Sequence, residues 1–281
     1  LKLLLKEKQT MQMRNLFIAL MLNTSLLATP VLAASDTDPA TKEAEAQGLA
    51  VAQQIKQRNI GWGDSETSLK LVLRNAANQE SIRELRTKTL EIANDGDKSI
   101  SIFDHPLDVK GTAFLSFSHN TGADDQWLYL PALKRVKRIA SRNKSGPYMG
   151  SEFAYEDLSS FEVEKYTYKL IAEEPCAGGL CYVIVQTPVD KYSGYTRLIN
   201  WIDKTHYRSW KIDYFDRKNS LLKTLTVNDY QQYLNKYWRI KDMTMVNHQT
   251  KKSTDVVFGD YQFNVGLDEA DFNKNALKRA K

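Results

Sequence analysis

The side chains that could support acid–base chemistry are concentrated in one part of this sequence. Glu152 and Asp157 lie close together, shortly after a run of basic residues. Two carboxylates can act as a general acid and a general base when their surroundings separate their pKa values. Carboxylates beside basic residues more often form ion pairs, and the sequence favours that role here. Hydrolysis of a lipid or glycan by Glu152 and Asp157 is therefore the weaker functional hypothesis.

The histidines do not form a recognisable metal-binding pattern. None of the four has the partner three or four residues away that a helical metal site requires. The sequence also lacks a G-x-S-x-G motif, a phosphate-binding glycine loop and zinc-ligand spacing. We therefore predict no catalytic residues, no metal and no cofactor. The four histidines are His105, His119, His206 and His248.

The two cysteines, Cys176 and Cys181, flank the short segment Ala177-Gly178-Gly179-Leu180. Two thiols on either side of a tight turn can form a disulfide in an oxidising compartment. A metal or redox site would need further ligands or a two-residue spacing between the cysteines. The pattern favours a structural disulfide over free thiols.

The densest basic cluster precedes the two carboxylates. Because strand residues alternate between faces, a strand in this region must direct its cations to both sides. One interpretation is ion pairing with Glu152, Glu156 and Asp157 in the following segment. The other is a cavity rim that attracts lipid phosphates or an acidic partner, with Arg135, Lys137 and Arg138 as the contacts. The full cluster is Lys134, Arg135, Lys137, Arg138, Arg142 and Lys144.

Residues 1–33 have the three parts of a bacterial export signal. Basic residues precede an apolar stretch from Leu16 to Leu27, and small residues occupy the cleavage positions in Val31-Leu32-Ala33. The unbroken apolar run is far shorter than the ~20 residues of a spanning helix. We expect cleavage near Ala33 and a single periplasmic domain over residues 34–281, without a lipid anchor because no cysteine follows. A buried N-terminal helix is the alternative.

Charge excludes a general nucleic-acid-binding surface. The whole chain has a net charge of +5. Without residues 1–33 it retains 35 Lys and Arg against 33 Asp and Glu, so its charge is only about +2. We therefore predict no nucleic-acid partner.

The periodicity of apolar residues predicts one helix followed by strands. Residues 40–58 carry one apolar helical stripe. Beyond Gly61 the period becomes two, as in Leu69, Leu71 and Leu73, and similar runs recur to residue 263. This pattern predicts eleven or twelve antiparallel strands in a large curled meander or barrel. No segment between them resembles a crossover helix.

Several strands carry apolar residues at both parities, so both of their faces must be covered. Trp127-Leu128-Tyr129-Leu130 and Phe114-Leu115 are examples. The cover is either a fully packed core or, on one side, an apolar ligand. The long connection 140–160 is either a functional lid or a loop packed into the core.

Three ordered segments carry a family resemblance. The first segment begins with Phe103-Asp104-His105-Pro106, the second with Trp127-Leu128-Tyr129-Leu130-Pro131 and the third with Met149-Gly150-Ser151-Glu152-Phe153. Together they resemble the outer-membrane lipoprotein-sorting-type proteins of the LolA-like superfamily, over about residues 103–272. The resemblance implies a mainly β fold: a half-open antiparallel β-barrel of about eleven strands, with an N-terminal helix and a lid over a hydrophobic cavity.

The resemblance also implies a function. Members carry acyl chains of lipids or lipoproteins through the periplasm, with transient membrane contact, and this branch is associated with inner-membrane transporters of the resistance-nodulation-division (RND) class. We expect Met149, Phe153 and Tyr155 to form the lid. A non-carrying accessory subunit of such a transporter is the alternative. The residues expected to line the cavity are Leu71, Leu73, Phe114, Trp127, Tyr129 and Trp201.

Overall fold

The computed structural model describes residues 38–279. The predicted fold class is confirmed: the protein is mainly β, with one large antiparallel sheet and a helix at its beginning. The predicted signal segment, residues 1–33, lies outside the described residues. Among the helices of the described part, none is long and apolar enough to span a membrane.

Two helices flank the strands. Helix α1, Pro39–Arg58, coincides with the predicted helix, and α2, Lys274–Arg279, was not predicted. The strands are β1 Asp64–Arg74, β2 Glu80–Leu90, β3 Lys98–His105, β4 Ala113–Phe117, β5 Asp125–Leu130, β6 Arg135–Ile139, β7 Tyr166–Cys176, β8 Gly179–Pro188, β9 Tyr195–Asp203, β10 Ser209–Asp216, β11 Leu221–Tyr233, β12 Tyr237–Asn247, β13 Ser253–Phe258 and β14 Gln262–Phe263.

The sheet has fourteen strands rather than eleven or twelve. One additional strand is β6, which lies in the basic cluster, where charge conceals the alternation of Val136 and Ile139. The other arises because the predicted strand 253–263 is interrupted and divides into β13 and the two-residue β14.

The order of the strands leaves the sheet open. It runs β6-β5-β4-β3-β2-β1-β13-β12-β11-β10-β9-β8-β7, with β14 paired to β1. The chain therefore proceeds outward from β1 to one edge, crosses to the opposite edge, and returns inward strand by strand. Residues 140–165, which we call the strap, connect the two edge strands β6 and β7.

The strap packs against one face of the sheet, which we call the inner face. Its Tyr148 and Phe153 are buried in a cluster with Leu71 of β1, Phe114 of β4 and Met245 of β12. Because side chains alternate along a strand, neighbouring residues such as Leu115 point to the opposite, outer face.

The outer face has its own, smaller core. Leu115 and Trp127 from β4 and β5 pack there against Phe272 and Leu277 at the C-terminal end of the described chain. The short helix α2 thus covers the apolar side chains that β4 and β5 direct to the outer face. This explains why β4 and β5 have no wet face.

Helix α1 packs on the inner face near the β7 edge. Val51 and Ala52 are buried against Ile184 and Ile202 of β8 and β9. Gly48 permits this close approach, because a Cβ there would lie 2.8 Å from the backbone nitrogens of Lys169 and Leu170 in β7.

Cys176 and Cys181 form a disulfide, with a Cα–Cα separation of 5.9 Å. They lie on β7 and β8 on either side of the tight hairpin turn. The closed loop is short, so its entropic contribution to stability is modest.

Candidate functional site: an apolar cavity beneath the strap

A cavity of about 860 Å³ lies between α1, the strap and the inner face. This volume is within the ~300–1,000 Å³ range of sites that bury a small ligand. The cavity has a predominantly apolar wall, because the strands β10 to β13 direct apolar side chains inward. The apolar wall includes Ile212, Tyr214, Leu225, Val227, Met243 and Phe258.

A second hollow of about 330 Å³ adjoins the first. Leu71, Leu85 and Phe114 line it from the sheet, and Tyr148 lines it from the strap. The two hollows share Met243 together with other wall residues. An apolar ligand can therefore extend from one into the other along the inner face.

A buried ion pair fastens the strap to the sheet. Lys223 Nζ in β11 lies 2.6 Å from Asp157 Oδ2 in the strap, and both side chains are about 5% exposed or less. The same ammonium donates to the Glu152 carbonyl at 2.9 Å. Tyr195 donates its hydroxyl hydrogen to Asp157 Oδ1 at 2.8 Å, and the Ala154 N–H donates to Oδ2 at 2.7 Å. Both carboxylate oxygens of Asp157 thus accept hydrogen bonds, one at Oδ1 and two at Oδ2.

Neighbouring polar contacts extend this attachment across several strands. Glu152 accepts a hydrogen bond from the Asn247 side chain of β12 at 2.7 Å. Glu156 accepts from the Gly194 N–H and the Ser193 hydroxyl, each at 2.8 Å. Burial raises the pKa of Glu156, and these two hydrogen bonds oppose that rise.

These contacts give both candidate acid–base residues a structural partner. Asp157 is paired with Lys223, and Glu152 is bonded to Asn247. The partner of the Asp157 carboxylate is thus a lysine from outside the basic cluster, and that of the Glu152 carboxylate is a neutral amide. From that cluster, only Lys144 approaches a strap carboxylate, at 3.9 Å from Glu156.

The structure brings part of the predicted cavity lining together. Leu71 and Phe114 line the smaller hollow, and Leu73 packs against the same apolar cluster. From the strap, Met149, Phe153 and Tyr155, the predicted lid residues, all belong to or pack against that cluster.

Trp127, Tyr129 and Trp201 lie on the outer face, which corrects their expected place in the cavity. Trp127 and Tyr129 belong to the core beneath α2. Trp201 donates to Glu174 at 3.0 Å, and Lys211 lies 4.0 Å from the centre of its ring. Trp127 and Tyr129 were misplaced because β5 has apolar residues at both parities, so the pattern does not show which of them face inward.

The predicted head-group contacts also lie elsewhere. Arg135, Lys137 and Arg138 are exposed on the edge strand β6, and Arg138 pairs with Asp125. None of the three lines either hollow. Sequence reasoning missed Lys223. The available signal was that Lys223 has the same parity along β11 as the inward-facing Leu225 and Val227.

Asp97 faces both hollows and is a charged group without a bonded cation among the described residues. Burial raises its pKa to about 6, and Glu162 and Glu91 act in the same direction, whereas Lys56 and Arg239 lower it. Lys56 is already bonded to Glu162 at 2.7 Å. Asp97 therefore changes charge within the mildly acidic range.

Within residues 38–279, no group of three or more His, Cys, Asp or Glu side chains is arranged to hold a metal ion. The cavity offers instead an apolar interior, one titrating carboxylate and a strap held by buried polar contacts. This arrangement is suited to binding an apolar molecule without covalent chemistry.

Comparison with solved structures identifies the fold. A LolA superfamily protein from Nitrosomonas europaea shares the fold with a TM-score of 0.66 at 16% identity, covering 82% of this chain and 98% of that one. A DUF1329 family protein from Desulfovibrio piger is 27% identical, with a TM-score of 0.79, covering 83% of this chain and 99% of that one. The protein has the LolA-like fold.

The family follows from closer similarity. A Vibrio parahaemolyticus domain provisionally named as an outer membrane lipoprotein-sorting protein is 58% identical, with a TM-score of 0.82, covering 84% of this chain and 100% of that one. A family model described as an uncharacterized protein matches residues 95–279. The chain belongs to this family, DUF1329. No curated protein matches the chain.

Removing one member of the buried ion pair should strongly destabilise the protein. Lys223→Met leaves the Asp157 carboxylate buried without a cation, at an expected cost of ~3–5 kcal/mol in the free energy of unfolding. Urea denaturation measures this cost, and hydrogen exchange of residues 144–158 reports whether the strap detaches.

The double variant Lys223→Met/Asp157→Leu should recover much of the loss, because no unpaired charge remains. Lys241→Met is the matched control, since it removes an exposed ion pair with Asp260 and should cost less than ~1 kcal/mol. Equal effects of Lys223→Met and Lys241→Met would contradict the importance of the buried pair.

Asp97 should oppose folding at neutral pH. Because the pKa of Asp97 is raised, the folded state favours the protonated side chain. The protonated form therefore contributes its full stability below pH 4, and this contribution is lost as pH rises through about 6. Asp97→Asn should therefore stabilise the protein at pH 7.5, by at most about 3 kcal/mol, and have a much smaller effect at pH 4.5.

Asp95→Asn provides a control of opposite sign. The hydrogen bond with His119 lowers the pKa of Asp95 to about 2, so its charged form stabilises the fold above pH 4. That substitution should destabilise the protein at pH 7.5. Urea denaturation at both pH values checks the pair, and destabilisation by Asp97→Asn at pH 7.5 would refute the assignment.

Proposed function

We propose that this protein is a periplasmic carrier that binds the acyl chains of a lipid or lipoprotein in its inner cavity and transfers them between membranes. The observation that carries the proposal is an apolar cavity of about 860 Å³ extended by an adjoining hollow beneath a packed strap. The family's lipoprotein-sorting relatives support the same role.

Acyl-chain binding needs no reactive group. Burying apolar surface stabilises a complex by about 25 cal/mol per Å², or about 0.8 kcal/mol per methylene. The inward faces of β10, β11 and β12 supply such surface through Ile212, Leu225 and Met243. Several methylenes are sufficient for useful affinity, and the non-directional contact tolerates different chains.

An enzyme is less well supported. Glu152 and Asp157, the candidate acid and base, are engaged by Asn247 and by Lys223. A general base must reach the proton that it abstracts, and these carboxylates instead accept hydrogen bonds that hold the strap.

The proposed physiological partner is an inner-membrane RND-type transporter, with which the carrier would exchange its cargo during transient membrane contact. This partnership is supported by the family resemblance. Met149, Phe153 and Tyr155 would serve as the lid by closing over the apolar cluster from the strap.

The carrier proposal is tested by purifying the protein from its native periplasm without detergent, extracting it with organic solvent, and identifying released molecules by mass spectrometry. We expect reproducible recovery of an acyl-containing lipid. Reproducible absence of lipid would refute the carrier and favour a non-carrying accessory subunit.

A cavity-filling variant sharpens the test. Met243→Trp adds volume at a residue that lines both hollows, so it should reduce the recovered lipid severalfold while preserving the fold. Trp201→Phe, on the outer face, is the control and should leave lipid recovery unchanged. Thermal unfolding of both variants separates loss of binding from loss of structure.

A further inference from the structure

Four cations line the larger hollow at the end of α1. They are Arg58 from the helix, Arg208 directly before β10, and Lys236 and Arg239 near the beginning of β12. Arg58 and Lys236 are exposed, and the other two are half-buried. The cavity wall therefore changes from apolar to cationic at this end, which we call the cationic mouth.

Uncharged groups hold three of these cations near the end of α1. The Arg58 guanidinium lies over the Tyr207 ring, 4.6 Å from its centre. Arg239 Nη1 donates to the Asn59 side-chain oxygen at 2.6 Å, and Lys236 Nζ donates to the Ile60 carbonyl at 3.2 Å. These are neutral acceptors, so they orient the cations without cancelling their charge.

Only Arg208 has an anionic partner, Asp203, whose Oδ2 lies 2.9 Å from its Nε. In the part of the chain that the structure describes, Arg58, Lys236 and Arg239 form no ion pair with a carboxylate. Burial lowers the pKa of Arg239, which is the electrostatic cost of holding this cation beside an apolar wall. An anion at the mouth would offset that cost.

Aromatic rings complete the mouth. Arg239 lies 5.4 Å from the centre of the Trp62 ring, and Arg208 lies 4.3 Å from that of Trp238. Rings hold the guanidinium groups in place through their π faces and leave N–H donors available at the edges. Such donors match the oxygens of a phosphate or carboxylate.

We propose that the cationic mouth binds the anionic head group, a phosphate or carboxylate, of an amphiphile whose acyl chain occupies the apolar cavity. This inference rests on the proposed carrier function and specifies the class of cargo. A polar head cannot be buried with its chain without a large cost, so it must remain at an end of the cavity. The mouth supplies both access to water and three cations that form no ion pair within the described residues, of which Arg239 interacts with the carboxylates of Asp97 and Glu91 only at longer range.

Two amphiphiles with the same chain test the proposal. Lysophosphatidic acid and monoacylglycerol, each with one palmitoyl chain, differ by the phosphate. Binding to the purified, delipidated protein is measured by displacement of a fluorescent fatty-acid probe at low salt. We expect the phosphate-bearing lipid to bind on the order of tenfold more tightly, a preference that decreases as salt rises.

Glycerol 3-phosphate and palmitate separate the sources of the anion. Binding of palmitate with a similar preference over monoacylglycerol identifies a general anionic site, and a preference limited to lysophosphatidic acid identifies a phosphate site. Glycerol 3-phosphate alone should fail to displace the probe at equal concentration, because it lacks the chain. Displacement by it would overturn the combined head-and-chain arrangement.

The double variant Arg58→Gln/Lys236→Gln removes two exposed cations and should fold normally. We expect it to lose most of the preference for lysophosphatidic acid while its affinity for monoacylglycerol stays within about twofold. Arg135→Gln/Lys137→Gln removes the same charge from exposed positions on β6 and is the matched control.

The outcomes separate the two proposals. Equal binding of charged and neutral lipids by the unmodified protein would overturn the head-group inference and leave the carrier intact. Loss of the preference in the β6 control alone would place the head group there instead and also overturn the inference. Binding of neither lipid would refute the carrier itself.

Discussion

The attachment of the strap depends on one buried ion pair, that between Lys223 and Asp157. A lysine ammonium at a buried position is tolerated only when an anion and further acceptors replace the water that it loses. Asp157 and the Glu152 carbonyl provide these acceptors, and both belong to the strap. The Tyr195 and Tyr214 rings of the sheet also lie beside this ammonium, but both of its hydrogen-bond acceptors among the described residues belong to the strap, so the strap is required in this position.

The strand order determines what the attached strap does to the interior of the protein. The strap connects the two edge strands of an open sheet, β6 and β7, and it has to cross the inner face to do so. Its polar contacts with β9, β11 and β12 fix where it crosses, and Tyr148 and Phe153 then fill part of the interior. The unfilled remainder, between the strap, α1 and the strands β10 to β12, is the cavity.

The sequence predicted much of this fold because its two periodicities are clear. The helix stripe over 40–58 and the alternation in β1 both correspond to observed elements. The inward orientation of Leu71 could be predicted from the alternation in β1. The orientations of Phe114 and Trp127 could not, since β4 and β5 are apolar at both parities and the covering helix α2 has only six residues. Alternation in β11 places Lys223 inward with Leu225 and Val227. Its pairing with Asp157 and the cationic mouth depend on contacts between distant segments, which local patterns do not encode.

The distribution of polar contacts bears on how a carrier of this kind would exchange its cargo. Detaching the strap requires separating the buried Lys223–Asp157 pair and several hydrogen bonds, a cost of several kcal/mol by comparison with buried pairs elsewhere. At the cationic mouth, by contrast, Arg58 and Lys236 are exposed side chains on an already accessible end of the cavity. Side chains there can change rotamer within nanoseconds, without unfolding any element. Under the carrier proposal, an acyl chain therefore passes the cationic mouth at lower cost than it passes beneath the strap, and the strap serves mainly to maintain the cavity.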